Sequence, residues 1–287
     1  MTSQAPLLAA ALVAFGASTL AQSAAPTAVE DETHKHLLCP SGKLVGLSVH
    51  NESKKNLGEI RDVLVDPRSG GLRYAVLEAD SFLGLGDEMR VIPWNFLVIT
   101  ADEKDSEKLH VRTQLTEEQL SAAPGCKVGQ KFDADLDRRI EATFGKDKAW
   151  AFVGTGQPSF TWLSQMDGVP IEDKDGQDAG AVTDVILAPQ NGCIAYLAVR
   201  TSKEAGDKVV AVPCSQVTFA YGRDEVLRAT VPFAQSRFTT APQYVAEDWK
   251  RMSSTAWMNE ISTFYACDPF WKTTRFASAR TMSAQRP

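Results

Sequence analysis

Residues 58–79 read GEIRDVLVDPRSGGLRYAVLEA, and residues 180–201 read GAVTDVILAPQNGCIAYLAVRT. The second stretch follows the first position by position. Gly58 aligns with Gly180, Asp62 with Asp184, Pro67 with Pro189, Gly70 with Gly192 and Tyr74 with Tyr196. Self-similarity of this kind means that one structural unit is written twice. Inside the unit, IRDVLV (60–65) places apolar residues at close to period two. Asp66 to Gly71 is then a turn cluster, and Leu72 to Leu77 is a second β-rich run.

The repeat extends outward. Val91-Ile-Pro-Trp94 aligns with Ala211-Val-Pro-Cys214, and Ala123-Pro124 with Ala241-Pro242. Ser81 to Glu88 is a Gly-containing loop, and Met89 to Thr100 is a third run interrupted by Pro93. Proline there marks an edge, a bulge or a strand bend, because it cannot donate to a ladder. Lys108 to Thr113 is a further short strand. Short strands joined by turn signals predict a small antiparallel barrel or sandwich. Helical pieces follow each unit. Thr116 is placed as an N-cap with Gln119 three residues on, and Leu136, Ile140 and Phe144 form one apolar stripe. After the second unit, Trp249, Met252, Ala256 and Trp257 share helical spacing. These helices are expected to cover barrel surface, with an exposed partner-binding helix as the alternative.

The chain has 287 residues, a net charge of −6 and a pI near 5.3. The length allows about two domains, and the acidic balance argues against a general nucleic-acid binder. Pro6 to Leu20 carries no charge and is followed by Ala21, Gln22, Ser23 and Ala24. That reads as a secretory signal with cleavage near Ala21–Ala24, since a membrane span needs about 20 apolar residues. No Lys or Arg precedes the run, so an uncleaved anchor is the alternative. Of five cysteines, none lies in a C-x-x-C arrangement, which removes the local signals for redox motifs, zinc ribbons and covalent haem.

Residues 44–97 resemble the PRC-barrel family, named for the cytoplasmic domain of the photosynthetic reaction-centre H subunit and related to a domain in a ribosome maturation factor. The resemblance rests on Gly46 to Val49, Gly58 to Asp62, Gly70 or Gly71, Tyr74 to Val76 and Ile92 to Trp94. Leu115 to Leu120 with Ala123-Pro124 is similar to the family's C-terminal tail. The second copy, roughly 162–242, is looser. It keeps Gly168 but has Ala181 in place of Glu59 and Cys214 in place of Trp94. The resemblance implies about six strands per copy and use as an adaptor or assembly module, and it implies no enzyme and no cofactor. Fold alone does not fix function.

Candidate sites follow from residue chemistry. Asp62 and Asp184, with Gly58, Gly180, Pro93 and Trp94, read as structural, because a carboxylate at a strand start accepts backbone N–H bonds. Asp173 to Asp178 lacks the glycine and glutamate spacing of a calcium loop and reads as a hairpin turn. His34, His36 and Cys39 are weak metal candidates. His50 and His110 accompany no nucleophile signature. Phe82, Leu83, Leu85, Trp249 and Trp257 are candidate partner contacts. Cys193 and Cys214 are candidates for a cross-strand disulfide, and Cys39 with Cys126 for another. Lys272, Arg275, Arg280 and Arg286 lie in an acid-free tail that reads as solvated, with docking to an anionic surface as the alternative.

The expected organisation is a signal peptide (1–23), a flexible leader (24–40), a barrel (41–124), a helical linker (125–158), a second barrel (159–242), a helical tail (243–272) and a disordered basic tail (273–287). The expected fold is mainly β: two tandem, antiparallel, six-stranded barrels with helical tails. The expected function is a periplasmic or secreted, non-enzymatic scaffold of the bacterial envelope. Its partner is a protein, with no nucleic acid and no transmembrane span once the signal is cleaved. A hydrolase with a site between the copies, or a small-ligand or metal carrier, is the alternative.

Overall fold

The computed structural model describes residues 36–79, 89–105, 107–127, 129, 130, 132, 134–145, 160–245 and 249–272. They form one body built mainly of strands. The first copy opens with β1 (Cys39–Pro40) and a helical turn, α1 (Ser41–Leu44). It continues through β2 (Ser48–Asn51), β3 (Asn56–Asp66), β4 (Gly71–Ala79), β5 (Met89–Pro93), β6 (Leu97–Ala101) and β7 (Leu109–Thr113). Helix α2 (Glu117–Ala122), β8 (Gly125–Cys126) and helix α3 (Ala134–Phe144) follow. The second copy opens with β9 (Thr161–Trp162). It continues through β10 (Pro170–Glu172), β11 (Asp178–Ala188), β12 (Cys193–Thr201), β13 (Val209–Pro213), β14 (Thr218–Tyr221) and β15 (Leu227–Thr230). Helices α4 (Trp249–Met252) and α5 (Thr255–Tyr265) complete it.

Each copy has six strands in the same order, and the two are joined into one sheet. The path runs β14-β15-β10-β11-β12-β4-β3-β2-β7-β6, with β5 on β4 and β13 on β12. This differs from the expected pair of closed antiparallel barrels. The sheet does not close, and β2–β7 and β10–β15 pair in parallel. The third run bends at Pro93. A 3-10 turn over Trp94–Phe96 separates β5 from β6, and Cys214–Gln216 does the same after β13.

The copies meet turn to turn. Gly71 pairs with Cys193, the Leu72 amide donates to the Gly192 carbonyl at 2.9 Å, and the Ile194 amide donates to Gly70 at 2.8 Å. Those two bonds are related by a pseudo-two-fold axis. The same axis relates an exchange of leading strands. β1 of the first copy pairs with Leu187 and Ile186 in β11, while β9 of the second copy pairs with Leu64 and Val65 in β3. The leading strand of each copy thus lies in the sheet of the other.

Local sequence explains the strand geometry. Gly58 and Gly180 sit at φ +139° and +126°, and a β-carbon there would collide with the carbonyl oxygens of Glu78 and Arg200. The register then shifts between Ile60 and Asp62 and between Val182 and Asp184. A bulge of this kind re-aims the residue that follows it. One core cluster draws on both copies, from Leu38 to Phe270. A smaller one joins Leu64, Tyr74, Val76 and Val91 to Leu136 and Ile140 of α3 and to Trp162 of β9. Helix α5 covers the matching face of the second copy. Ser254 caps it by accepting from the Trp257 amide at 3.3 Å, and Trp257, Met258, Ile261 and Tyr265 form its buried stripe.

Because each copy lacks a strand without the other, fragments 36–145 and 160–272 are expected to be poorly folded alone and to combine on mixing into a 1:1 complex with cooperative melting. Size-exclusion chromatography and circular dichroism check this. Two fragments that each melt cooperatively and do not associate would contradict the exchange.

Candidate functional site

Asp62 follows the bulge in β3 and is 1% exposed. Its carboxylate accepts from the Val63 amide at 2.7 Å, the Ser164 amide at 3.2 Å and the Ser164 hydroxyl at 2.5 Å. Ser164 lies in the 3-10 turn Leu163–Met166, directly after the exchanged strand β9. Asp184 repeats the arrangement. It accepts from the Val185 amide at 2.7 Å, from the Ser41 hydroxyl of α1 at 3.0 Å and from the Tyr244 hydroxyl at 3.2 Å. Each carboxylate therefore fastens the leading segment of the opposite copy. Burial pushes the Asp62 carboxyl above its usual range, against the lowering effect of its donors.

Gly58 and Gly180 supply the backbone conformation that sets up each bulge. Pro93 ends β5 and Trp94 follows in the 3-10 turn, where its indole N–H donates to the Pro189 carbonyl of the second copy's turn at 3.1 Å. Cys214 holds the position equivalent to Trp94. A β-carbon on Gly70 would lie 2.6 Å from its sulfur, so Gly70 leaves the room that the thiol fills.

The copies diverge at their turns. Asp66 in the first copy accepts from the Arg73 guanidinium at 2.9 Å, the Ser69 hydroxyl at 2.9 Å and the Arg68 amide at 3.0 Å. Burial alone would raise the Asp66 carboxyl, but the Arg73 hydrogen bond and charge outweigh it and hold the pKa below the ordinary value. Apolar Ala188 and Ala195 stand at the equivalent positions in the second copy.

The thiols are free. Cys39, Cys126, Cys193 and Cys214 are buried and Cys267 is half-buried. The Cys193–Cys214 and Cys39–Cys126 bridges considered from the sequence are therefore not formed. The ladder pairs Tyr196 with Pro213, which leaves Cys193 out of step with Cys214. Burial raises the Cys39 thiol to about 12 and the Cys126 thiol to about 11, which disfavours the reactive thiolate.

The remaining sequence candidates disperse. Phe82, Leu83, Leu85 and His34 lie outside the described residues. His36 stacks on Trp271 at 4.4 Å, while Cys39 is buried in β1. Among the described residues no group of three or more His, Cys, Asp or Glu side chains is placed to hold a metal ion. Trp257 is a correction. It is 4% exposed and packs edge-on against Tyr196 at 5.2 Å, so it belongs to the core and not to a partner surface. Trp249 begins α4, and its side chain is outside the description. His110 shares its Nε2 with Asp102 at 2.9 Å, and that contact pulls the Asp102 pKa down to about 2. Asp173 in the β10–β11 turn accepts from the amides of Asp175, Gln177 and Gln235 at 2.8, 2.9 and 2.9 Å.

What the surface offers is contact area. A cleft of about 370 Å³ in the second copy is lined by Asp173, Lys174, Ser215, Gln216, Thr218, Thr230, Val231 and Pro232, and neither His50 nor His110 borders it. The β14–β15 hairpin that supplies its threonines ends in Tyr221 and Val226, 41% and 47% exposed. Val98 in β6 is 54% exposed. These apolar residues carried no periodic signal in sequence, because exposure at a hairpin end depends on what the fold leaves uncovered.

The family model for the PRC-barrel domain matches residues 41–120 and 163–227, just over half of the chain. The chain belongs to the PRC-barrel domain family, in two copies. That membership points to a protein-interaction or scaffold type of function. No curated protein matches the chain. No helix among the described residues is long and apolar enough to cross a membrane.

The Asp66–Arg73 pair yields an acid-stability prediction. Its depressed carboxyl contributes stability above the unfolded value near 3.8, lost as pH falls through the lower folded value. Arg73→Met is expected to cost about 3 kcal/mol at pH 7, by taking the nearer of its two cations from a buried carboxylate, and to flatten the loss of stability below pH ~4. Urea melts across pH check both effects. An unchanged acid limb would contradict the assignment.

Proposed function

We propose that the protein is an exported, non-enzymatic scaffold of the bacterial envelope that docks a protein partner on the β14–β15 end of its second copy. The observation that carries this reading is the exposure of Tyr221 and Val226 at the tip of the β14–β15 hairpin, whose other end, at Thr218 and Thr230, lines a polar cleft. Aromatic and apolar side chains rimmed by polar groups are what a protein interface selects. The carboxylates Asp62 and Asp173, which are buried, and Asp184, which is half-buried, support it from another side. Their oxygens accept internal hydrogen bonds, so they serve the fold more readily than an acid–base reaction.

We read each six-stranded copy as an opened form of the family's barrel. The exchange of leading strands fastens two such units into one body, which suits a part that must present a surface at fixed geometry. Export rests on the uncharged run Pro6 to Leu20 with small residues after it. The mature chain is expected to begin between Ala21 and Ala24, which N-terminal sequencing of the periplasmic fraction would show. A chain that retains Met1 in the cytoplasm would contradict export.

The docking face is tested with a tagged chain cross-linked in the envelope fraction. Tyr221→Lys combined with Val226→Glu is expected to abolish recovery of the partner while leaving thermal unfolding unchanged. Val98→Glu, at the other end of the sheet, is expected to retain it. Recovery of monomer alone from the wild type, or undiminished capture by the double variant, would overturn the assignment.

A further inference from the structure

The sheet ends on β6 at one side and β14 at the other, which are the equivalent strands of the two copies. Their hairpins share one hydrogen-bond parity. The Asp102 amide donates to the Lys108 carbonyl at 2.8 Å, and the Gly222 amide donates to the Val226 carbonyl at 2.9 Å. Along an antiparallel ladder, bonded and non-bonded pairs alternate. Thr218 and Ala220 therefore bond to Thr230 and Arg228 of β15, while the N–H and C=O groups of Phe219 and Tyr221 point to the open side of β14. The same parity turns the backbone groups of Ile99 outward from β6.

The two edges are finished differently. The Gln190 side-chain amide, from the 3-10 turn Pro189–Asn191, donates to the outward Ile99 carbonyl at 3.3 Å. A strand laid along β6 would have to displace it. Among the described residues, β14 pairs with β15 alone. An unpaired row of N–H and C=O groups is a template for another strand. Thr218 and Ala220, on the outer face of β14, are exposed and small.

We propose that the partner docked at the β14–β15 end is a second copy of this chain, paired β14 to β14 across a two-fold axis, a proposal that rests on the reading of that end as a docking face. The outward groups set the register. With Phe219 opposite Tyr221 of the second chain, and the reverse, each pair exchanges N–H···O bonds through groups that β15 leaves unused. Ala220 then faces Ala220 of the second chain at the close, non-bonded spacing of about 4.5 Å between α-carbons, which a methyl group accommodates. Phe219 and Tyr221 share one face of the strand. Each Tyr221 ring, 41% exposed in the single chain, thus gains an aromatic cross-strand neighbour. The same register places Gly222 opposite Thr218 of the second chain, which lines the cleft. Because Gln190 caps β6, each chain offers one open edge, so the pairing is isologous and closes at a dimer instead of growing into a filament.

The test is the association state of the full chain. Sedimentation equilibrium from about 5 to about 500 µM, a range that brackets a small interface, is expected to show a reversible dimer and nothing larger. Tyr221→Pro removes an outward N–H and spares the ladder to β15. It is expected to weaken dimerisation at least tenfold with an unchanged melting temperature, and Tyr221→Val, which keeps the amide, to weaken it less. Ala220→Cys is expected to give a disulfide-linked dimer on oxidation, and Thr218→Cys is not. Monomer across the whole range, association of Tyr221→Pro no weaker than that of Tyr221→Val, or equal cross-linking through Ala220→Cys and Thr218→Cys would each overturn the pairing. The docking face is judged separately. A monomeric wild type that still captures a different protein in the envelope fraction, lost with Tyr221→Lys and Val226→Glu, would rule out the second copy and leave that face standing.

Discussion

Each copy of the repeat keeps its leading strand in the sheet of the other, and an aspartate, buried in the first copy and half-buried in the second, holds it there. The constraint is electrostatic as much as geometric. A carboxylate taken out of water is costly unless donors surround it. Asp62 and Asp184 find one donor in the next backbone amide and another in a serine of the opposite copy. Remove the partner copy and each of those carboxylates loses a hydroxyl donor. The rest of the body follows from that arrangement: the bulges that aim the carboxylates, the glycines that permit the strand geometry before them, and the core shared by both copies.

Symmetry stops where the copies face different neighbours. Tyr74 donates to Asp137 of α3 at 2.8 Å, whereas the hydroxyl of Tyr196 is buried with no hydrogen-bond partner under α5. Trp94 reaches across the axis to a carbonyl, and the Cys214 sulfur occupies the room that Gly70 leaves. The ion pair of Asp66 and Arg73 gives way to two alanines. Arg237 gives the second copy a fastening of its own. It donates to the Phe264 carbonyl at the end of α5 at 2.5 Å and lies over the Phe233 ring at 5.3 Å. The first copy carries more polar anchoring at its turn, and the second carries the cleft and the exposed hairpin.

Much of the architecture was legible because it is local. Period-two runs, the turn clusters and the Thr116–Gln119 capping box all appear where the sequence places them. So does the bend at Pro93. The strand exchange was not legible, because β1 and β9 are two residues long and their partners are distant in sequence. The failure of the sheet to close was hidden for the same reason. Trp257 misled because helical spacing shows that a helix has an apolar face but not what covers it. Asp62 and Asp184 stood out by their spacing in the repeat, but their serine partners in the opposite copy could not be found without the fold.

The exchange is tested most directly by a double-mutant cycle between Asp62 and Ser164, which belong to different copies and touch only if β9 lies in the first copy's sheet. Asp62→Asn, Ser164→Ala and the pair together are compared by equilibrium unfolding. A coupling energy of about 1–2 kcal/mol is predicted, the range for a buried, charge-assisted hydrogen bond. Additive effects would show that the two residues do not meet and that each copy keeps its own leading strand.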